Sequence, residues 1–145
     1  MMLTRDDIVA EARTWLKTPF HHCGRVKGAG VDCVGLVVGV ASNLDLNIVD
    51  MLKYPRAPMN GILMLQIEVQ TDAITFEEIL PADLLVFHFN GHEPQHVAIV
   101  TEVAPVRIIH AYMTAKKCIE HELDQVWIAR LMYARRFKEL SCQAN

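Results

Sequence analysis

GVDCVGLVVGVA, residues 30–41, sets a cysteine between an aspartate and a valine-glycine pair, where a glycine-bearing stretch gives way to a long apolar run. From Cys33 to about Leu44 the residues Val34, Leu36, Val37, Val38, Val40 and Ala41 leave no polar face, so this segment reads as a helix buried in a core. Asp32 is a plausible N-cap for it. Upstream, TPFHHCGRVKGAGVD (18–32) holds Gly24, Gly28 and Gly30, shows no periodicity and reads as a loop. Before that loop Thr4 is a good N-cap, Asp6 and Asp7 suit the positive end of a helix, and Ile8, Ala12, Trp15 and Leu16 recur at helical spacing until Pro19. Residues 45–60, with Pro55 and Pro58, read as an irregular connection. GILMLQIEVQ fits helix or strand by period, and its length and Leu/Met/Gln content favour helix. After Pro81 the signals turn to strand: LLVFHF, HVAIVTEV, VRIIHAYM and WIARLMYARRF are rich in β-branched or aromatic residues. Helices first and an antiparallel sheet second describe an α+β domain.

Composition agrees with one domain spanning 1–145. The chain has 145 residues, 52% hydrophobic and 21% charged, enough for one substantial core. A net charge of −3 and the lack of like-charge blocks give no footprint for nucleic acid. No basic segment followed by an apolar core opens the chain, and no run of about 18 uncharged apolar residues occurs, so neither a secretory signal nor membrane insertion is expected. Cytoplasmic synthesis is the expectation, and with it four cysteines kept as thiols.

The chemistry centres on Cys33. At a helix N-terminus its sulfur meets unpaired backbone N–H groups and a dipole that favour the thiolate, so it is expected to react far faster than Cys118 or Cys142. A nucleophilic cysteine needs a base, and the base an orienting group. His96 opens HVAIVTEV and His110 lies near the end of VRIIHAY. An antiparallel hairpin turning at Ala104 and Pro105 brings the two imidazoles together as base and orienter. The plain alternative is that Cys33 is a small core residue. Cys118 and Cys142 read as inert. His88, His92 and His96 could suggest a metal, but Gly91 and Pro94 break any helix that would align them, and a zinc site from His22, Cys23, Cys33 and His96 needs distant loops to converge. No metal and no cofactor is expected, and His121, between two glutamates, reads as a surface residue.

On these residues the sequence resembles a known family. GVDCVGLV is similar to the nucleophile motif of the NlpC-type cell-wall peptidases, commonly Gly, any residue, Asp-Cys-Ser-Gly-Leu-Val. HVAIVTEV resembles their base strand, and IIHA the strand supplying their third residue. TPFHHCGRVKGAGVDCVGLV, YPRAP, LPADLLVF and the closing IIHAYMTAKKCIEHELDQVWIARLMYARRF resemble the short phage-tail and gene-transfer-agent branch. The likeness runs from about residue 8 to residue 138.

The resemblance implies a papain-like α+β fold and a cysteine endopeptidase that cuts peptidoglycan stem peptides between a D-glutamyl residue and diaminopimelate or lysine. It implies Cys33 as nucleophile, His96 as base and His110 as orienter, with backbone N–H groups at the start of the Cys33 helix, beside Asp32 and Val34, holding the oxyanion. Phage tail proteins are the implied partners, and delivery to the wall in a phage-like particle or on lysis the implied route. Three departures stand out. Val34 replaces the serine after the nucleophile, and Ala82-Asp83 replaces a Gly-Asp before the next strand. Phe20, His21 and His22 stand where many members carry a tyrosine whose hydroxyl assists near the oxyanion, so that role is lost or falls to His21. Two other readings stay open: a silent tail-assembly component, and an acyl or peptidyl transferase on the same fold.

Overall fold

Thr4 starts the first helix as its residue type suggests. In the computed structural model, which describes residues 2–50 and 62–141 (for 62–64 the backbone only), α1 spans Arg5–Arg13. Thr4 Oγ1 accepts the Asp7 N–H at 3.1 Å and Asp7 Oδ2 accepts the Thr4 N–H at 2.8 Å, a reciprocal cap. Just past α1, Trp15 is 2% exposed and its indole N–H donates to Glu11. The ring lies on Gly39 of α2 (Cys33–Asn43), where an added Cβ would fall 2.3 Å from it. A glycine at that point lets the two helices approach.

The stretch expected as loop carries a small two-stranded unit, β1 (Arg25–Val26) paired antiparallel with β2 (Gly30–Val31). GILMLQIEVQ is helical as expected, with α3 at Ile62–Gln70. It runs directly into β3 (Thr71–Ile74), a strand the sequence did not signal. The YPRAP loop, with Pro55 and Pro58, lies outside the described residues.

The main sheet has six antiparallel strands in the order β3-β8-β4-β5-β6-β7, built also from β4 (Leu84–Phe87), β5 (His96–Val103), β6 (Val106–Tyr112), β7 (Lys117–Glu122) and β8 (Leu131–Phe137). The β5–β6 hairpin turns at Ala104 and Pro105, with Val103 opposite Val106, as expected. Leu84, Val86, Val97, Ile99, Ile109 and Ala111 pack with α1 and α2. Their neighbours Leu85, Phe87, Ala98, Val100 and Ile108 pack with Leu123, Trp127 and Ala134. Both faces of the central strands are therefore covered, which explains why they read as near-continuous apolar runs. N-terminal helices on an antiparallel sheet make this the expected α+β fold.

Two corrections concern the C-terminal third. WIARLMYARRF is not one strand: α4 (Gln125–Arg130) comes first, capped by Asp124, whose carboxylate accepts the Trp127 N–H at 3.1 Å, and only then does β8 begin. KCIEHE forms the edge strand β7, polar because one side of it faces solvent. A short helix α5 (Lys138–Ser141) follows β8. Ala82, in the place of the family's glycine, has φ of 81°, the left-handed region a glycine adopts without strain. Asp83 beside it is fully buried and paired with Arg5 (3.0 Å) and Arg136 (2.9 Å), tying α1, β8 and the entry to β4 together. Among the described residues no helix is long and apolar enough to cross a membrane.

Candidate active site

Cys33 is the first residue of α2, and Asp32 is its cap: Oδ1 accepts the Gly35 N–H at 2.8 Å. Oδ2 accepts the Cys23 N–H at 2.8 Å, and Arg25 Nη1 donates to Oδ1 at 3.0 Å while its Nε reaches Asp50. Asp32 thus locks the preceding loop onto the helix that carries the thiol. Gly35 is needed for this closure, since a Cβ there would fall 2.1 Å from the Gly24 carbonyl oxygen.

The histidines meet as the hairpin requires. His96 Nε2 and His110 Nδ1 are 2.6 Å apart, and both residues are buried, at 4% and 0% exposure. The His96 ring lies among Phe87, Phe89, Tyr112 and Trp127, while Cys33 belongs to the helix-side core. The two sides meet along β5, where the backbone N–H of Val97, the residue after His96, acts on the Cys33 thiol and lowers its pKa. Among the described residues no hydrogen bond links Cys33 Sγ to the His96 ring.

Burial sets the resting protonation. It pushes the Cys33 thiol up to about 12, with the Asp32 carboxylate adding to the effect, and the Val97 and Val34 N–H groups and Arg25 opposing it. The expected thiolate is overridden, because the desolvation cost of a charge here exceeds what the helix terminus returns. Burial likewise takes His96 down to about 3, aided by Arg130 and His121, and holds His110 well below its ordinary value. Thiol and imidazoles are neutral together at neutral pH. Cys118 is also buried and pushed to about 12. Cys142 lies outside the described residues.

Phe20 and His21, with His22 and Met113, line a pocket of about 260 Å³. It adjoins the chain leading to Cys33, because the His21 N–H donates to the Val31 carbonyl and Phe20 bridges to Val31. Donor atoms of His22, Cys23 and Asp32 lie within 4.8 Å of one another, and neither Cys33 nor His96 belongs to that group. A cation there would confront the Arg25 guanidinium, 3.0 Å from Asp32 Oδ1.

The surface reading of His121 is corrected. His121 is half-buried, with Nε2 2.8 Å from His110 Nε2 and Nδ1 2.8 Å from the Glu122 carbonyl oxygen. Trp127 packs against His96, His110 and His121, with ring centroids 5.6, 4.8 and 5.8 Å away, and Arg130 lies 4.8 Å over its ring. The signal for His121 was its place two residues from Ile119 on a strand, visible only once KCIEHE is recognised as one.

This architecture is that of NlpC/P60 domains. A lipoprotein-like NLP/P60 family protein from Staphylococcus aureus superposes with a TM-score of 0.70 at 24% identity, over 94% of this chain and 43% of that one. An NlpC/P60 family protein from Bacillus cereus gives 0.73 at 19% identity, over 94% and 41%. This chain thus spans less than half the length of either. The NlpC/p60 domain of the peptidoglycan hydrolase SagA gives 0.67 at 24% identity, over 91% and 97%. No protein-family model matches the sequence, and no curated protein matches it.

Proposed function

We propose that this chain is an NlpC-type cysteine peptidase that hydrolyses peptidoglycan stem peptides. The observation that carries the reading is the joint placement, in an NlpC/P60 fold, of Cys33 at a capped helix start that packs in one core with Val97, and of His96, the residue before Val97, hydrogen-bonded to His110. SagA, of the same fold, is described as a peptidoglycan hydrolase.

The neutral resting pair defines the mechanism. Seating the scissile carbonyl brings Sγ and His96 together, and the thiol proton passes to the unprotonated His96 nitrogen as sulfur bonds to carbon. The negative charge moves to the carbonyl oxygen, where N–H groups at the start of α2 receive it. Collapse breaks the C–N bond, His96 gives its proton to the leaving amine, and water then hydrolyses the thioester by the same route. His110 holds the His96 ring throughout. The pocket at Phe20, His21 and His22 is proposed to receive the peptide next to the reacting bond, the D-glutamyl to diaminopimelate or lysine bond by the resemblance. A phage-like tail is the proposed vehicle.

Incubation with purified muropeptides followed by mass spectrometry tests the activity, with Cys33→Ala as control. New termini at the D-glutamyl bond are expected, and intact muropeptides would refute the reading. Added free amino acids or peptides separate hydrolysis from transfer, since only transfer yields an adduct. Mass spectrometry of purified tail particles tests the vehicle.

A further inference from the structure

We propose that His121 is a positioning residue that, through His110, fixes which nitrogen of His96 is left without a proton. The inference deepens the proposed function and rests on its assignment of His96 as the base for Cys33.

One group in the histidine cluster has only one possible role. The Glu122 carbonyl oxygen can only accept, so the 2.8 Å contact with His121 Nδ1 requires a proton on that nitrogen. A neutral His121 then has a bare Nε2, and the 2.8 Å contact with His110 Nε2 is donated by His110. A neutral His110 with its proton on Nε2 has a bare Nδ1, so the 2.6 Å contact is donated by His96 Nε2. His96 is left with its unshared pair on Nδ1. One backbone oxygen thereby orders three imidazoles. Without His121, His110 has no acceptor for its Nε2 proton among the described residues, and it can turn to the other tautomer, with Nδ1–H aimed at His96 Nε2. His96 would then hold its proton on Nδ1 and lose its basic nitrogen there.

The packing supports an ordered chain rather than a chance contact. On the β6–β7 pair His110 stands opposite Ile119 and His121 opposite Ile108, which makes the two histidines diagonal neighbours on one face. Trp127 covers all three rings from α4, limiting their rotation.

The test is nitrogen NMR of the histidine rings in the full-length protein, read beside steady-state cleavage. Wild type should show His96 and His110 protonated on Nε2 and His121 on Nδ1. In His121→Ala, His96 should populate the Nδ1–H form, and kcat should fall about 10- to 100-fold with a smaller change in KM, a part of what general-base catalysis supplies. His121→Gln, whose Oε1 can accept from His110 Nε2, should restore the Nε2–H form of His96 and most of kcat. His121→Phe keeps an aromatic ring against Trp127 and offers no acceptor, so it should behave as His121→Ala; it carries the test if the alanine variant unfolds. A His96 tautomer unchanged in both acceptor-free variants would overturn the proposal, as would a wild-type protein with His96 protonated on Nδ1. Because the tautomers are read without substrate, an ordered chain in a protein that cleaves no muropeptide would refute the peptidase reading and leave the positioning role standing.

Discussion

The Asp32 carboxylate accepts the Gly35 N–H at 2.8 Å and stands one residue before Cys33. It therefore acts on the site in two opposed ways: it closes the first turn of α2, and its charge helps hold the thiol neutral. Asp32→Asn keeps a capping oxygen and removes the charge. The Cys33 pKa should fall, so the rise of iodoacetamide labelling with pH should begin at lower pH than in wild type. An unchanged profile would show that Asp32 does not govern the thiol.

Among the described cysteines of the wild-type protein, Cys23 is the most exposed, whereas Cys33 and Cys118 are buried and both pushed to about 12. Limited alkylation at pH 7.5 followed by peptide mapping should find Cys23 labelled before either. Early labelling of Cys33 would mean that the free protein holds a thiolate.

His110 has no exposure and bonds on both ring nitrogens. His110→Ala should lower turnover by about 10²- to 10⁴-fold and also lower the melting temperature. His110→Asn should recover more activity than stability, since its carboxamide can still accept from His96. Full cleavage by a folded His110→Ala protein would reduce the site to Cys33 and His96.

The buried histidines make an acid-labile fold. His96 is taken from 6.5 to about 3 and His110 is lowered as well, so between those values the unfolded chain binds protons that the folded chain refuses. Stability is then complete above about pH 6.5 and declines on acidification below it, as the unfolded chain takes up protons at both histidines. Urea midpoints at pH 7.5, 6 and 5 should fall in that order. A midpoint flat from 7.5 to 5 would contradict the burial of both rings as neutral groups.

Two glycines should respond differently to alanine. At Gly35 the new methyl meets the Gly24 carbonyl oxygen at 2.1 Å, a clash of a side chain with backbone, and about 2–3 kcal/mol or more should be lost. At Gly28 nothing among the described residues lies within 4 Å, and φ of 81° resists the change, at a cost of about 1 kcal/mol. Equal urea midpoints for the two variants would argue against the close approach of the loop to α2.

The sequence by itself determined those parts of the protein whose causes are local. The apolar run after Cys33 made a buried helix, Thr4 and Asp32 capped their helices, and the turn at Ala104 and Pro105 set His96 beside His110. The edge strands β3 and β7 carried no such signal, because a strand with one open side needs no apolar alternation and takes its identity from the neighbour it pairs with. α4 was hidden for a related reason: six residues starting at Gln125 are too few for a helical period, and the Asp124 cap and the seat of Trp127 over the histidines decide it. With β7 unrecognised, His121 stood alone in the sequence, and only the register against β6 joined it to His110. The charge state of Cys33 was likewise beyond the sequence. A helix terminus is a local feature that favours the thiolate, whereas burial is a property of everything packed around the sulfur, and desolvating a charge costs more than one helix end returns.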